Sequence, residues 1–204
     1  MVNDQGRAAE PVLEALRKAS SSKHAALENL LRLDAALDRP RYVAVLRGFE
    51  SFLRAWEPHL RQALPEALAL RFDASCRLQL LRRDLQELGA APSTASLHLP
   101  SRLPLPDTAA ALGSWYVLAG SALGGQVISR RLSVSLGVTP DRGGAYFHGW
   151  GTDTGRRWRE FRELLARGVP DSAAARAEAA QSACATFDLL IETFQQMQHE
   201  PAVA

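Results

Sequence analysis

The sequence predicts an all-α protein built as one domain, and three observations carry that prediction. Apolar residues recur at steps of three and four along most of the chain, which is the repeat of a helix face. Alternating apolar–polar runs never exceed a few residues, so strands have no signal. Prolines and glycines fall mostly between the periodic stretches, where they start or stop helices. With 204 residues, 47% of them hydrophobic, the chain suits one helical bundle around one core.

Residues 1–10 lack a periodic pattern and read as a disordered N-terminus; 11–198 read as the domain and 199–204 as a tail. Pro11 sits well in a first helical turn. The helix it opens carries Leu13, Leu16, Ser20, His24, Leu27 and Leu31 on one face, so His24 is expected to point inward. Arg39-Pro40 is a break. A second helix is expected over about 41–63, with Tyr42, Phe49, Leu53 and Trp56 on its stripe, and Pro58 should kink or end it. Pro65 restarts a short helical piece. A further helix is expected over about 73–88, stopped by Gly89.

Residues 89–106 are proline-rich and irregular. Asp107-Thr108 then opens a long helix that ends near Gly137. Residues 140–151 form a glycine-rich turn holding Tyr146, Phe147 and Trp150. Two more helices, about 154–168 and 171–198, complete the pattern, the last with Cys184, Phe187, Ile191 and Phe194 on its stripe.

Charge excludes some functions. The formal net charge is only +2, and no basic block is longer than Arg130-Arg131 or Arg156-Arg157, so there is no footprint for nucleic acid. Neither a membrane-length apolar run nor a hydrophobic leader is present, and a cytoplasmic protein without a membrane partner is expected. Cys76 and Cys184, far apart among apolar neighbours, are expected as buried free thiols.

The most informative stretch is Gly120-Ser121-Ala122-Leu123-Gly124-Gly125, in the middle of an apolar helix. Each interior glycine costs about 1 kcal/mol relative to alanine. Three in six residues imply close backbone approach: either a helix crossing through the Gly120/Gly124 face, or a flat ligand against a bare helix.

Among the histidines, His24 stands out because a helical face directs it to the core. Glu28, at i+4, is within reach of the same ring. A carboxylate accepting the far ring N–H is the usual support for a metal-ligating histidine. No other cluster offers three or four metal ligands, and one protein ligand suits an iron that brings its own equatorial set, as haem does. His59, His98, His148 and His199 have no such context. Neither a Gly-x-Ser-x-Gly elbow nor a phosphate loop occurs.

Two motifs then carry a resemblance. LRKASSSKHAALE, from Leu16 to Glu28, and LAGSALGGQVI, from Leu118 to Ile128, lie in this order about 100 residues apart. A weaker third is Gly149-Trp150-Gly151-Thr152 leading to Trp158-Arg159-Glu160-Phe161. With these the chain resembles the haem oxygenases, and among them the bacterial, biliverdin-producing branch found beside bacteriophytochromes. The resemblance implies haem held between a proximal and a distal helix, as cofactor and substrate. It implies His24 as the axial iron ligand with Glu28 bonded to it, and Gly120, Ser121, Gly124 and Gly125 on the distal side. It further implies Arg17 as a propionate partner, at a position often lysine, with Tyr116 and Arg159 as additional partners. Two departures are Ser121, where some members have aspartate, and Ala119, where many bacterial members are acidic. The implied reaction opens haem to biliverdin, carbon monoxide and ferrous iron. It uses O₂ and an external electron donor, ferredoxin-type or another reductase, and a phytochrome is an implied acceptor of the product. A non-enzymatic haem carrier of the same fold is the competing reading.

Overall fold

The computed structural model describes residues 10–33, 37–93, 97, 99 and 101–199. Among these described residues eight α-helices follow in order: α1 Glu10–Leu31, α2 Arg39–Ala63, α3 Glu66–Asp73, α4 Leu78–Glu87, α5 Thr108–Leu136, α6 Ala145–His148, α7 Thr154–Gly168 and α8 Ala173–His199. A 3₁₀ turn, Gly151–Asp153, joins α6 to α7. Among the described residues there is no strand, only isolated bridges from Thr139 to Arg142 and Gly143. Residues 1–9 and 200–204, expected as disordered end and tail, lie outside the described residues, as does His98; Glu10 is already helical.

The ends of the long helices obey local chemistry. Asp38 caps α2 by accepting from the Arg41 N–H at 2.9 Å, with Pro40 in the first turn. Asp107 caps α5 by accepting from Ala110 N at 2.9 Å, and Gly137 at φ +65° ends it.

One expectation needs correcting and one alternative is decided. Of the two outcomes expected at Pro58, a kink or an end, the end is ruled out, since α2 runs to Ala63 as its periodicity indicated. Its last turn is held by fully buried Leu60 and by His59, whose Nε2 lies 2.8 Å from the Leu103 carbonyl oxygen. The helix expected over about 73–88 starts only at Leu78, after a break at 74–77 that separates it from the short helix restarted at Pro65. The break arises because Glu57, on α2, accepts from the backbone N–H groups of Arg77 and Leu78 at 2.9 and 3.1 Å. Those are orphan donors at the start of α4, and no local side chain caps them.

The last helix α8 is the spine: α5 and α1 both pack against it. The α5 crossing is so close that a Cβ on Gly113 would lie 2.0 Å from the Ala179 carbonyl oxygen. A buried polar relay crosses the same layer, Trp56 Nε1 donating to Ser114 Oγ at 2.9 Å and Ser114 paired with Thr186 at 2.7 Å. Cys76 and Cys184 are free thiols, half-buried rather than buried. Among the described residues no helix is long and apolar enough to cross a membrane.

Candidate haem site between the first and fifth helices

Where α1 and α5 lean on α8 they leave a cavity of about 910 Å³ between them. Its α1 wall carries Arg17, Ser20, His24 and Glu28; its α5 wall carries Tyr116, Gly120, Ser121 and Gly124. Phe147 and Phe187 form part of the floor. The volume is in the upper range of cofactor pockets.

His24 is on the helix face the sequence assigns it, but it is not buried: its side chain is 56% exposed, because that face opens onto the cavity at this turn. Two neighbours orient the ring. Glu28 Oε2 lies 3.4 Å from Nδ1, and the Phe187 ring meets the imidazole edge-on with centroids 5.8 Å apart. A carboxylate at Nδ1 favours the tautomer with the proton there, leaving Nε2 as a bare donor for a metal.

The opposite wall is bare at Gly120 and Gly124, between the side chains of Tyr116 and Leu118 on one side and Val127, Ile128 and Arg131 on the other. A Cβ on Gly124 would have nothing within 4 Å, and one on Gly120 would touch only the Trp158 ring at 3.9 Å. The helix-crossing explanation therefore fails for this pair. It holds for Gly125, which corrects its assignment to the distal face: a Cβ there would be 2.8 Å from the Phe147 carbonyl oxygen, so Gly125 serves packing on the far side of α5. Adjacent helix positions point about 100° apart, and the run of three glycines divides between two tasks.

At one end, the Tyr116 hydroxyl faces Ser20 and Arg17; burial pushes its pKa up, and the Arg17 charge opposes that. These three supply donors for a carboxylate. Arg159 does not join them. It is exposed on α7 and absent from the cavity wall, where its neighbour Trp158 stands instead, one helical step away.

Arg77 is a site residue that the sequence gave no reason to single out. It is 5% exposed, and its Nη2 donates to both the Leu118 carbonyl and Ser121 Oγ, each at 2.8 Å. Its guanidinium lies 4.8 Å from the Tyr146 ring centroid and 5.5 Å from that of Trp150. A lone arginine in a short connector has no periodicity to flag it. Arg77, Leu118 and Trp158 also border a second cavity of about 200 Å³, lined by Trp56, Trp115, Trp150 and Trp158, the chain's four tryptophans.

Among the described residues no three His, Cys, Asp or Glu side chains converge on a point. One oriented imidazole facing a helix that is bare at Gly120 and Gly124, across a wide slot, fits a flat iron complex with its own equatorial ligands.

Comparison with known proteins agrees. The family model for heme oxygenase matches residues 10–196. A heme oxygenase of Xanthomonas campestris pv. campestris (strain 8004) is 32% identical over 152 residues, covering 74% of this chain and 87% of that protein. In fold, the chain is similar to the NO- and CO-bound heme oxygenase of Neisseria meningitidis, with TM-score 0.75, 22% identity and coverage of 95% and 94%. It is also similar to the heme oxygenase of Leptospira interrogans, with TM-score 0.74, 18% identity and coverage of 91% and 98%. The chain belongs to the heme oxygenase family.

Proposed function

We propose that this chain's haem-degrading activity is carried by His24, Glu28 and the wall of Gly120, Ser121 and Gly124, with Arg17 and Tyr116 seating the substrate's carboxylates. The reaction is that of the family: O₂- and reductant-dependent cleavage of haem to biliverdin, carbon monoxide and ferrous iron. Haem is both cofactor and substrate, and supplies the iron and the ring that is opened.

The chain's own residues have three tasks. His24 offers a neutral nitrogen, with Glu28 holding the other ring proton. An imidazole lacks the electron push that a thiolate ligand would give. The bare backbone at Gly120 and Gly124 lets a flat substrate lie close to α5, which narrows the directions of attack. Arg17, with Tyr116 and Ser20, offers a charged and hydrogen-bonding end that fixes the in-plane rotation of a carboxylate-bearing ring and so selects the carbon that is cut. The observation that carries the reading is the pairing of a Glu28-supported His24 with a glycine wall across one cavity.

The test is a haemin titration followed by aerobic reduction. A Soret band altered in His24→Ala, then loss of haem absorbance and rise of biliverdin, is expected. Haem binding that His24→Ala leaves spectrally unchanged overturns the ligand assignment.

The likeness of the two motifs to the bacteriophytochrome-associated branch supports a finer reading: biliverdin passes to a phytochrome, electrons come from a ferredoxin-type donor, and the setting is cytoplasmic. Adding an apophytochrome to the turnover mixture tests it. Faster product release is expected, and an unchanged rate counts against the subtype.

A further inference from the structure

We propose that Arg77 is a positioning residue that fixes Ser121 and places a permanent positive charge behind the glycine wall, and that Glu57 in turn positions Arg77. This rests on the reading that the wall faces haem.

Ser121 stands where some family members carry an aspartate, so this position brings no charge of its own, and the α5 charge that lines the cavity is Arg131, ten residues further along the helix. A hydroxyl has one proton and two lone pairs. In Ser121 the proton goes to the Leu118 carbonyl at 2.9 Å, and one lone pair accepts from Arg77 Nη2 at 2.8 Å. One lone pair remains for the cavity, which Ser121 lines. The same Arg77 nitrogen also donates to the Leu118 carbonyl at 2.8 Å. Turning the Ser121 proton toward the cavity therefore leaves no carbonyl unsatisfied. The hydroxyl can accept or donate there while its oxygen stays fixed.

Arg77 is held from three sides. Its backbone N–H, with that of Leu78, donates to Glu57 Oε1, a carboxylate from another helix. Its guanidinium lies over Tyr146 and Trp150. Only 5% of the residue is exposed, so solvent screens its charge poorly. Arginine is always protonated and cannot itself give up a proton. Its contribution is a fixed field, which favours an anion over a neutral ligand in the cavity.

The experiment compares azide affinity of the ferric haem complex with carbon monoxide affinity of the ferrous complex. In Arg77→Met, azide should weaken by about tenfold or more while carbon monoxide changes little, the size expected for removing one nearby charge. Arg77→Lys keeps the charge and should retain most of the azide preference even if Arg77→Met folds poorly. Glu57→Gln keeps an acceptor for both N–H groups and should resemble the unmutated chain; Glu57→Ala should approach Arg77→Met. Equal losses for both ligands in Arg77→Met, or no loss, overturn the charge argument. Glu57→Ala behaving as the unmutated chain overturns the positioning role. Failure of the parent reading looks different: the unmutated chain then shows no His24-dependent Soret band, and this proposal falls with it.

Discussion

Gly124 and Gly125 are adjacent, chemically identical and opposite in consequence. Gly124 faces open cavity, so Gly124→Ala should stabilise the helix by up to about 1 kcal/mol. It should also narrow the slot and weaken haemin binding. Gly125 lies against the Phe147 backbone, where an added methyl forces α5 and α6 apart; Gly125→Ala should destabilise by about 1–3 kcal/mol. Urea denaturation of the two variants checks the signs, and a stabilised Gly125→Ala contradicts the packing assignment. The residue pattern showed that this stretch needed bare backbone, but not which glycine met what. That depends on α6, which the sequence does not place relative to α5. His24 and Glu28 were legible because their spacing lies within one helix. Arg159 was misassigned because a motif neighbourhood does not fix helical phase, and Arg77 was invisible because its partners are 41 and 44 residues away.

Helix ends could be read from periodicity and local signals, since Asp107, Gly89 and Gly137 act on their own segments. The junction before α4 could not, because its cap comes from α2. That junction also predicts a pH dependence. Burial is the largest influence on Glu57 and raises its pKa, with the Arg77 and Leu78 N–H groups opposing. The folded state therefore binds this proton more tightly than the unfolded chain does. Its contribution to stability is fully present below the ordinary glutamate pKa, about 4.3. It is lost as pH rises through the higher folded value. Glu57→Gln cannot titrate. The stability of the unmutated chain relative to Glu57→Gln should thus increase as pH is lowered from about 7 toward about 4. Denaturation midpoints of both proteins across that range are the measurement; a difference that grows with rising pH has the wrong sign.

At the scale of the molecule, α8 supports two walls that hardly support each other. Gly113 presses α5 onto Ala179, while Lys23 Nζ–Asp188 Oδ1 at 2.5 Å and Cys184 Sγ–Ala19 O at 3.3 Å tie α1 to the same helix beside His24. The cavity is the space these contacts leave, and a ligand that touches both walls links them. Haemin should therefore raise the thermal midpoint. At free haemin about 100 times the dissociation constant, the added stability is about 2.7 kcal/mol. At about 2–4 °C per kcal/mol for a chain of this size, the midpoint should rise by about 5–11 °C. His24→Ala removes one wall's contact and should lose part of that rise without lowering the haemin-free midpoint much, since His24 is more than half exposed. Gly124→Ala should show the reverse, a higher haemin-free midpoint with a smaller rise. An unchanged midpoint with haemin in the unmutated chain would mean that the substrate does not bridge α1 and α5, and that the cavity between them is not where it binds.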